Sequence, residues 1–477
     1  MSLEETLEKY RLRLRARRAA VRDAYRDRWL GIPPFIRRLI VAGVIGVLTI
    51  AIFAPLYGFD TAAIYTYLVF LALYLPPYRR LPFGRFVVPL AFLTLVVAYP
   101  YYNDNLFTLP VFSAIGSNGF PGLDVATVMA VFAMMAIGLN MVVGYAGLLD
   151  LGYVAFYAVG AYTAAWFAST QFATRTTLNF GAVGVSPGAG GGIHISVWLL
   201  LLAAGMLTAI IGVLIGLPTL RLRGDYLAIV TLGFGEIMPQ IARNGNNFLN
   251  TGFDLTGGPS GIAPIDPPGF GHWIHTHVWS KLPTDYLSAT NGDKFFFWTA
   301  IVLLIFTLFC SIRLRDSRLG RAWVAIREDE VAAAAMGVPL MRTKTWAYAS
   351  GAFFGGVAGA FFATFKSETF PDDFYFNISV LILCMVILGG MGNVWGVIVG
   401  ASLLAYLQYL GIPNAGAWIN AHFGTNFEVA KYSFGIYGVI LLVVMLWRPE
   451  GLIPSSRRKA EFHTEEISDE PLYDVRA

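Results

Sequence analysis

One carboxylate interrupts the apolar run 226–241, and its position makes it the strongest candidate for chemistry in this sequence. Glu236 shares that run with Thr231, and Asn140 lies in another apolar run, 125–143. An ionisable group inside hydrocarbon is expensive unless it meets a partner or water, so it is by default a functional candidate. We predict that Glu236, Thr231 and Asn140 line a polar path or its gate. Pairing and hydrogen bonding within a helical bundle is the alternative that these residue types leave open.

Catalytic and metal-binding patterns are poorly represented. The sequence contains neither a G-x-x-x-x-G-K-[ST] phosphate-binding loop nor an H-E-x-x-H zinc motif. His272, His275 and His277 are closely spaced, but no cysteine accompanies them as a further zinc ligand. The neighbouring acids Asp372 and Asp373 are more typical of a solvated surface than of catalysis. We therefore predict no catalytic residue, no metal and no enzymatic activity for this chain.

The composition is that of a membrane protein. Of 477 residues, 56% are hydrophobic and 13% are charged, and the mean hydropathy is +0.60. Soluble domains average about 25% charged residues. We predict an all-α fold, a polytopic transmembrane helical bundle. Its apolar runs are 39–56, 62–75, 86–99, 125–143, 148–168, 195–217, 226–241, 295–312, 346–363, 378–388, 394–409 and 437–447.

The distribution of arginine predicts the orientation of these runs. Segment 1–38 is rich in arginine, and Arg79, Arg80, Arg221 and Arg223 follow later apolar runs. Cytoplasmic connections carry an excess of Lys and Arg, so these segments are expected on the cytoplasmic side of a lipid bilayer, together with both termini. No recognisable nucleic-acid-binding fold surrounds the arginines, so we expect no nucleic acid partner.

The longest charged stretch between the first and last apolar runs, 313–344, is predicted to be an ordered connection outside the bilayer. A central Arg or Asp costs about 3 kcal/mol in hydrocarbon. Within the stretch, 331–336 favours a helix, with acids before it, Gly337 as a cap and Pro339 as a stop. A second short helix is predicted at 321–326. A passive, solvated connector is the alternative.

Two glycine-rich breaks separate apolar runs on the predicted cytoplasmic side. They are Gly-Tyr-Ala-Gly at 144–147 and Gly-Gly-Met-Gly at 389–392. Such a pair hints at duplicated halves, as in many transporters, although glycines also permit ordinary close helix packing. Asp150, next to the first break, is predicted to cap a helix rather than to bind a ligand.

Several longer motifs occur in one order and carry a family resemblance. They are GLNMVVGYAGLLDLGYVAFYAVGAY (138–162), LPTLRLRGDYLAIVTLGFGEI (217–237), TGGPSGI (256–262), SRLGRAWVAIREDE (317–330), VILGGMGNVWG (386–396) and WRPEGLIP (447–454). Over about residues 110–457, the sequence resembles the LivM-type permeases of ABC importers for branched-chain amino acids.

The resemblance implies a set of partners and a location. A LivH-like permease subunit, two ABC ATPase subunits and a periplasmic substrate-binding protein are expected, in a bacterial inner membrane. ATP and Mg are expected on the ATPase subunits, and no cofactor on this chain.

The resemblance also assigns residues. It implies that 313–344 is a coupling loop that docks on an ATPase through Arg321, Glu328, Asp329, Glu330 and Gly337. This loop is similar to the E-A-A-x-x-x-G signature, except that Glu330 stands seven residues before Gly337 instead of six. The binding protein is expected to dock on an external segment that contains Asn246, Thr256 and Ser260.

These inferences divide the chain and leave the cargo open. The predicted parts are a basic cytoplasmic segment 1–38, a transmembrane extension with an external loop 39–109, a permease domain 110–454 and a cytoplasmic tail 455–477. The motifs are typical of the transporter scaffold and do not specify the transported substrate, so urea or a short amide is the close alternative to a branched-chain amino acid. An ion-coupled secondary transporter is the alternative from a different class.

Overall fold

A computed structural model describes residues 99–100, 121–173, 176–180, 191–222, 225–247, 253–269, 292–423, 428–448 and 450–453. The chain divides into two compact units, Met1–Phe120 and Pro121–Ala477. The predicted segment 1–38, the first two apolar runs, the three clustered histidines and the tail 455–477 lie outside the described residues.

The described part of the second unit is mainly helical, as predicted. Its α-helices are α1 (Leu123–Leu139), α2 (Val154–Phe167), α3 (Val197–Thr219), α4 (Asp225–Asn244), α5 (Gly292–Asp316), α6 (Arg318–Glu328), α7 (Glu330–Ala335), α8 (Leu340–Lys366), α9 (Phe376–Gly389), α10 (Val394–Tyr406), α11 (Ile412–Phe423) and α12 (Ser433–Trp447). A π-helical turn, Asn140–Tyr145, extends α1, and a second one, Leu407–Gly411, joins α10 to α11.

Six helical segments of the described residues are long and apolar enough to cross a membrane. They are Leu123–Tyr145, Val197–Thr219, Gly292–Asp316, Leu340–Lys366, Val394–Phe423 and Val429–Leu446. The apolar helices α2 and α9 have only 14 residues each. Helix α4 has 20 residues but is amphipathic, because polar side chains such as Glu236 and Arg243 interrupt its apolar sequence.

Helix α8 is the longest single α-helix among the described residues. Its 27 residues span about 40 Å at 1.5 Å per residue. We call the end that carries α6 and α7 the platform end, and the opposite end the sheet end. Helix α3 runs antiparallel to α8, because Gly216 faces Tyr348 while Gly205 faces Val357. Arg221, which follows α3, therefore lies at the platform end, in agreement with the predicted clustering of arginines on one side.

Glycines allow the backbone of α8 to approach its neighbours directly. A Cβ on Gly160 of α2 would lie 2.0 Å from the carbonyl oxygen of Gly356. A Cβ on Gly356 would lie 2.2 Å from Oγ1 of Thr208 on α3, and one on Gly359 would lie 2.0 Å from the carbonyl oxygen of Tyr157. Close approach through small residues is a typical way for membrane helices to pack.

A small sheet, which the sequence did not predict, covers the other end. Strands β1 (Ala168–Ser169), β2 (Thr177–Phe180) and β3 (Gly192–Ile195) lie in the order β1-β3-β2, with β1 antiparallel and β2 parallel to β3. Single bridges pair Ser169 with Ile265 and Ile262 with Thr369. The segment 253–269 is therefore fixed to the end of α2 and to the end of α8.

A buried acid and imidazole also join the sheet to segment 253–269. Nδ1 of His194 on β3 lies 2.6 Å from Oδ2 of Asp266. Burial raises the pKa of the Asp266 carboxyl above its ordinary value, and the hydrogen bond and charge of His194 oppose that rise. The pair is therefore a polar contact between two largely buried side chains.

We predict that Gly160→Ala destabilises the bundle, whereas Gly438→Ala does not. The added methyl group at residue 160 would collide with backbone, which cannot move aside as a side chain can, and overpacking typically costs about 1–3 kcal/mol. Residue 438 has nothing within 4 Å of an added Cβ. Thermal unfolding of the purified protein in detergent, followed by tryptophan fluorescence, measures the difference. Equal melting temperatures for the two variants would contradict the packing described for α2 and α8.

Candidate functional site

Helix α6 confirms the predicted helix at 321–326 and extends it at both ends. Ser317 begins the helix as its N-cap, and its Oγ accepts a hydrogen bond from the Gly320 backbone at 3.2 Å. The helix ends at Glu328, where Asp329 adopts an extended backbone. The residues 313–316 that precede the cap belong to α5, so the connection begins directly at the end of a membrane-length helix.

Helix α7 confirms the predicted short helix, with a cap at each end. Oδ1 of Asp329 accepts hydrogen bonds from the backbone of Val331 at 2.8 Å and of Ala332 at 3.0 Å. At the other end Gly337 adopts φ +85°, and Val338 N donates to the Ala333 carbonyl at 3.0 Å. This last hydrogen bond, with a left-handed glycine, is the Schellman arrangement. We call α6 and α7 with these caps (317–338) the platform.

Two side-chain contacts fix the platform to the start of α8. Trp323 is fully buried, and its Nε1 donates to the carbonyl oxygen of Thr343 at 2.8 Å. Nζ of Lys344 lies 2.8 Å from Oε1 of Glu330, and the Lys344 side chain is only 5% exposed. Glu330, predicted to contact an ATPase, is thus engaged with a lysine of its own chain.

The opposite face of the platform is exposed. Met336 is 85% exposed and Val331 is 68% exposed, both on or next to α7. The side chains of Arg321 and Glu328 are also exposed, and Nη1 of Arg321 donates to the Asp316 carbonyl at 3.2 Å. Exposed apolar side chains together with exposed charged ones are typical of a protein-binding surface.

Arg327 connects the platform to the first glycine break. Its Nη1 donates to the carbonyl oxygen of Gly144 at 2.7 Å, at the end of the π-helical turn. Gly147 has φ +70°, and a Cβ there would lie 2.8 Å from Cγ of Arg327. The chain therefore needs glycine at residue 147 both for its backbone conformation and for the passage of the arginine.

The two glycine breaks contact each other through Asn140. This side chain is fully buried, and its Oδ1 accepts a hydrogen bond from the backbone of Gly392 at 2.9 Å. Gly144 also faces Gly392, since a Cβ on Gly144 would lie 2.8 Å from that nitrogen. The pair of breaks, which the sequence associated only by composition, therefore forms one cluster under the platform.

Thr231 and Glu236 lie on different faces of α4. Thr231 is buried, its Oγ1 accepts a hydrogen bond from Leu151 N at 3.0 Å, and it donates to the Ala228 carbonyl at 3.0 Å. Glu236 is exposed near the middle of the same helix. The structure therefore does not bring Asn140, Thr231 and Glu236 together. The first two make contacts between segments, and only the third presents its polar group outward.

The prediction that Asp150 caps a helix is wrong. The chain is not helical between 146 and 153, so α2 begins only at Val154, with Tyr153 as its N-cap residue. Oδ1 of Asp150 accepts a hydrogen bond from Gly152 N at 2.9 Å, and the side chain is buried. Oγ of Ser379 on α9 instead accepts from Val154 N, at 2.8 Å. The sequence carried no signal for this distant hydroxyl.

The residues predicted to contact a binding protein lie at the sheet end, with different exposures. Asn246 and Ser260 are exposed. Thr256 is buried, and its Oγ1 donates to the carbonyl oxygen of Ala242 at 2.6 Å. Thr256 therefore attaches the TGGPSGI loop to the end of α4 by a hydrogen bond.

Acidic residues of the same end form ion pairs. Asp372 pairs with Arg243 at 2.7 Å, and Asp373 pairs with Lys366 at 2.9 Å. Groups of three or more His, Cys, Asp or Glu side chains able to hold a metal ion are absent from the described residues.

Membrane-length apolar helices around a buried core, with a folded and charged platform at one end, define a multi-pass helical membrane protein. A family model described as branched-chain amino acid transport system / permease component matches residues 123–445. The chain belongs to this family, which is a component of a transporter and is not itself an enzyme.

Individual relatives agree with the family. The chain is 36% identical over 343 residues to the high-affinity branched-chain amino acid transport system permease protein LivM of Escherichia coli, covering 70% of each chain. It is 25% identical to a probable LivM of Methanocaldococcus jannaschii, over 68% of this chain and 90% of the relative. It is also 24% identical to LivH of Escherichia coli, over 68% of this chain and 94% of the relative. No solved structure matches the chain.

We predict that Glu330→Ala destabilises the protein more than Glu328→Ala. Removing Glu330 leaves the buried ammonium of Lys344 without its carboxylate, and losing a hydrogen bond to a charged group costs about 1.5–3 kcal/mol. Glu328 is exposed, so its loss is expected to change stability by less than about 0.5 kcal/mol. Melting temperatures in detergent compare the two.

The double variant Glu330→Ala, Lys344→Met is the control for this interpretation. It removes both charges, so it is expected to recover part of the stability lost in Glu330→Ala. If the double variant is less stable than Glu330→Ala, the ion pair is not the reason for the loss.

Proposed function

We propose that this chain is the transmembrane permease subunit of an ATP-driven importer for branched-chain amino acids. The similarity to LivM over 70% of both chains is the observation that carries the proposal. The additional similarity to LivH over nearly the whole of that relative supports a LivH-like second permease subunit with a related fold. Two ABC ATPase subunits, which bind ATP and Mg, and a periplasmic substrate-binding protein complete the machine. In this proposal the chain lies in a bacterial inner membrane, with both of its termini in the cytoplasm.

The platform is the proposed docking surface for an ATPase subunit. An ATPase covers the exposed face of α7, where Val331 and Met336 are the apolar centre and Arg321, Glu328 and Asp329 the charged rim. Gly337 supports this face by ending α7 with a left-handed residue. Glu330 stabilises the position of α7, because its carboxylate forms an ion pair with Lys344 of α8.

The contacts of the platform support a rigid transfer of motion. ATP binding closes the two ATPase subunits, and the docked platform moves with them. Trp323 and Lys344 connect this motion to α8, and Arg327 connects it to the break at Gly144. Through Asn140 the same break holds Gly392. The two glycine breaks are therefore the proposed gate on the cytoplasmic side, with Asn140 as a gate residue.

The proposed path for the cargo follows the exposed face of α4. A carboxylate in the middle of a membrane segment is costly against lipid, so Glu236 is expected to face water or the second permease subunit. A path between the two permease subunits satisfies this requirement, and a carboxylate there attracts the ammonium group of an amino acid. On the opposite face of α4, Thr231 accepts a hydrogen bond from Leu151 N in the non-helical segment 150–152. Through this segment Thr231 is proposed to position the gate. At the sheet end, Asn246 and Ser260 are the proposed contacts for the binding protein, on a loop that Thr256 supports.

We predict that Met336→Asp prevents assembly with the ATPase subunits, whereas Met336→Leu does not. Residue 336 is almost fully exposed, so the change should leave the melting temperature unaltered while placing an uncompensated charge in the centre of the interface. Co-purification with the ATPase subunits is expected to fall at least about tenfold, and ATP-driven uptake with it. Normal assembly of Met336→Asp would show that α7 is not the docking surface. A change at Glu330 is a poorer test, because it also disturbs the contact with Lys344.

We predict that Glu236→Gln lowers uptake without affecting stability or assembly. The variant keeps the size of the side chain and removes the charge proposed to attract an ammonium group, so initial uptake should fall by about tenfold or more. The measurement is uptake of labelled leucine by proteoliposomes that contain the whole transporter, with unlabelled urea and acetamide as competitors. Gln240→Ala, also exposed on α4, is the matched control.

Unchanged uptake in Glu236→Gln would remove this residue from the path. Effective competition by urea or acetamide would favour the alternative cargo.

A further inference from the structure

Two adjacent cavities open on the side of the bundle near the platform end. The first has a volume of about 490 Å³ and lies between α3, α5, α6 and α8, and the second has a volume of about 370 Å³ and lies between α3 and the start of α8. Trp346 and Ala349 of α8 line both cavities. The two cavities therefore form one groove, which the indole of Trp346 divides.

The walls of the groove are apolar. Phe309 and Cys310 of α5 and Phe353 of α8 line the first cavity, and Leu217 and Met341 line the second. Helices α3 and α5 present further apolar side chains to the outside, among them Leu214 and Phe306. In a protein with membrane-length helices such surfaces meet hydrocarbon, so alkyl chains are the natural occupants of the two cavities.

Each cavity has one arginine at its edge. Arg313 lines the first cavity, with its guanidinium 5.3 Å from the centre of the Phe309 ring, and Arg342 lines the second. Both side chains are exposed, and within the described residues neither forms an ion pair, whereas Arg315 and Lys344 nearby both do. Guanidinium groups bind phosphate in a bidentate manner. The charge of this groove thus complements an anionic head group.

We propose that the groove binds one anionic phospholipid of the leaflet at the platform end. One acyl chain occupies each cavity, on either side of Trp346, and Arg313 and Arg342 hold the phosphate. The half-exposed indole of Trp346 lies at the head-group level, as tryptophan commonly does in membrane proteins. Leu319 and Trp323 of the platform also line the first cavity, so the bound lipid touches the platform. This site is separate from the proposed cargo path on α4.

Cys310 offers a reporter for the occupant, because it lines the first cavity and is partly exposed, whereas the other cysteine, Cys384, is buried. The full-length chain is reconstituted in nanodiscs of phosphatidylcholine alone or of phosphatidylcholine with phosphatidylglycerol. The rate at which N-ethylmaleimide modifies Cys310 is followed by mass spectrometry. Phosphatidylglycerol is expected to slow the modification by about fivefold or more, because it is retained more strongly than the neutral lipid.

The variant Arg313→Gln, Arg342→Gln tests the head-group contact. Each basic residue near a membrane surface contributes an attraction worth roughly a factor of five, so the double variant is expected to bind phosphatidylglycerol about 25-fold more weakly. Native mass spectrometry of the retained lipid measures this change. Arg318→Gln is the matched control, since Arg318 is exposed on α6 and lines neither cavity, and it should retain the lipid.

Three results would overturn the proposal. Equal protection of Cys310 by phosphatidylcholine and phosphatidylglycerol would mean that the groove does not select an anionic head group. Undiminished retention of phosphatidylglycerol by the double variant would mean that the lipid binds elsewhere. Protection of Cys310 only after the second permease subunit is added, whatever the lipid, would mean that a protein helix fills the groove.

Discussion

The contact of the α8 backbone with α2 and α3 is the interaction on which the rest of the bundle depends. At Gly160 and Gly359 the backbones of α2 and α8 meet without intervening side chains, and at Gly356 the α8 backbone packs against the side chain of Thr208 on α3. Dispersion contacts between backbones are short and numerous at such a distance, and they fix how far each helix is shifted along its neighbour. Because α8 extends from the platform to the sheet end, this shift also aligns both ends of the described bundle.

The platform is a folded unit and not a loop that merely connects two membrane helices. Its helices are short, and isolated helices of that length are unstable in water. Stability therefore comes from the helix caps, from the buried indole of Trp323 and from the ion pair of Lys344. These contacts lead directly into α8 and, through Arg327, into Gly144. A force on the exposed face of α7 would thus act on the bundle without first deforming the connection.

Polar residues of the apolar segments have separate tasks. Asn140 and Thr231 satisfy backbone donors at places where a helix is interrupted, at Gly392 and Leu151. An unpaired backbone N–H in such surroundings would be costly, which explains why polar side chains occur there. Glu236 has no such task among the hydrogen bonds of the described residues, and it points outward. Its polarity therefore requires an explanation from beyond the described residues, and the proposed path between two permease subunits supplies one.

From the sequence alone one can predict the class of protein, the helical fold, the two platform helices with Gly337 after the second, and the family. These features depend on local properties: hydropathy over a helix length, caps within a few residues, and motifs that are contiguous in the chain. Three features became evident only from the folded chain: Glu330 faces Lys344, Asn140 joins two breaks about 250 residues apart, and α2 begins four residues after Asp150. Each of these depends on a partner distant in sequence, such as Ser379 for the start of α2, and no periodicity or spacing encodes such a partner. For the same reason the groove beside Trp346 was not foreseen, since α3, α5 and α8 form it only when they pack.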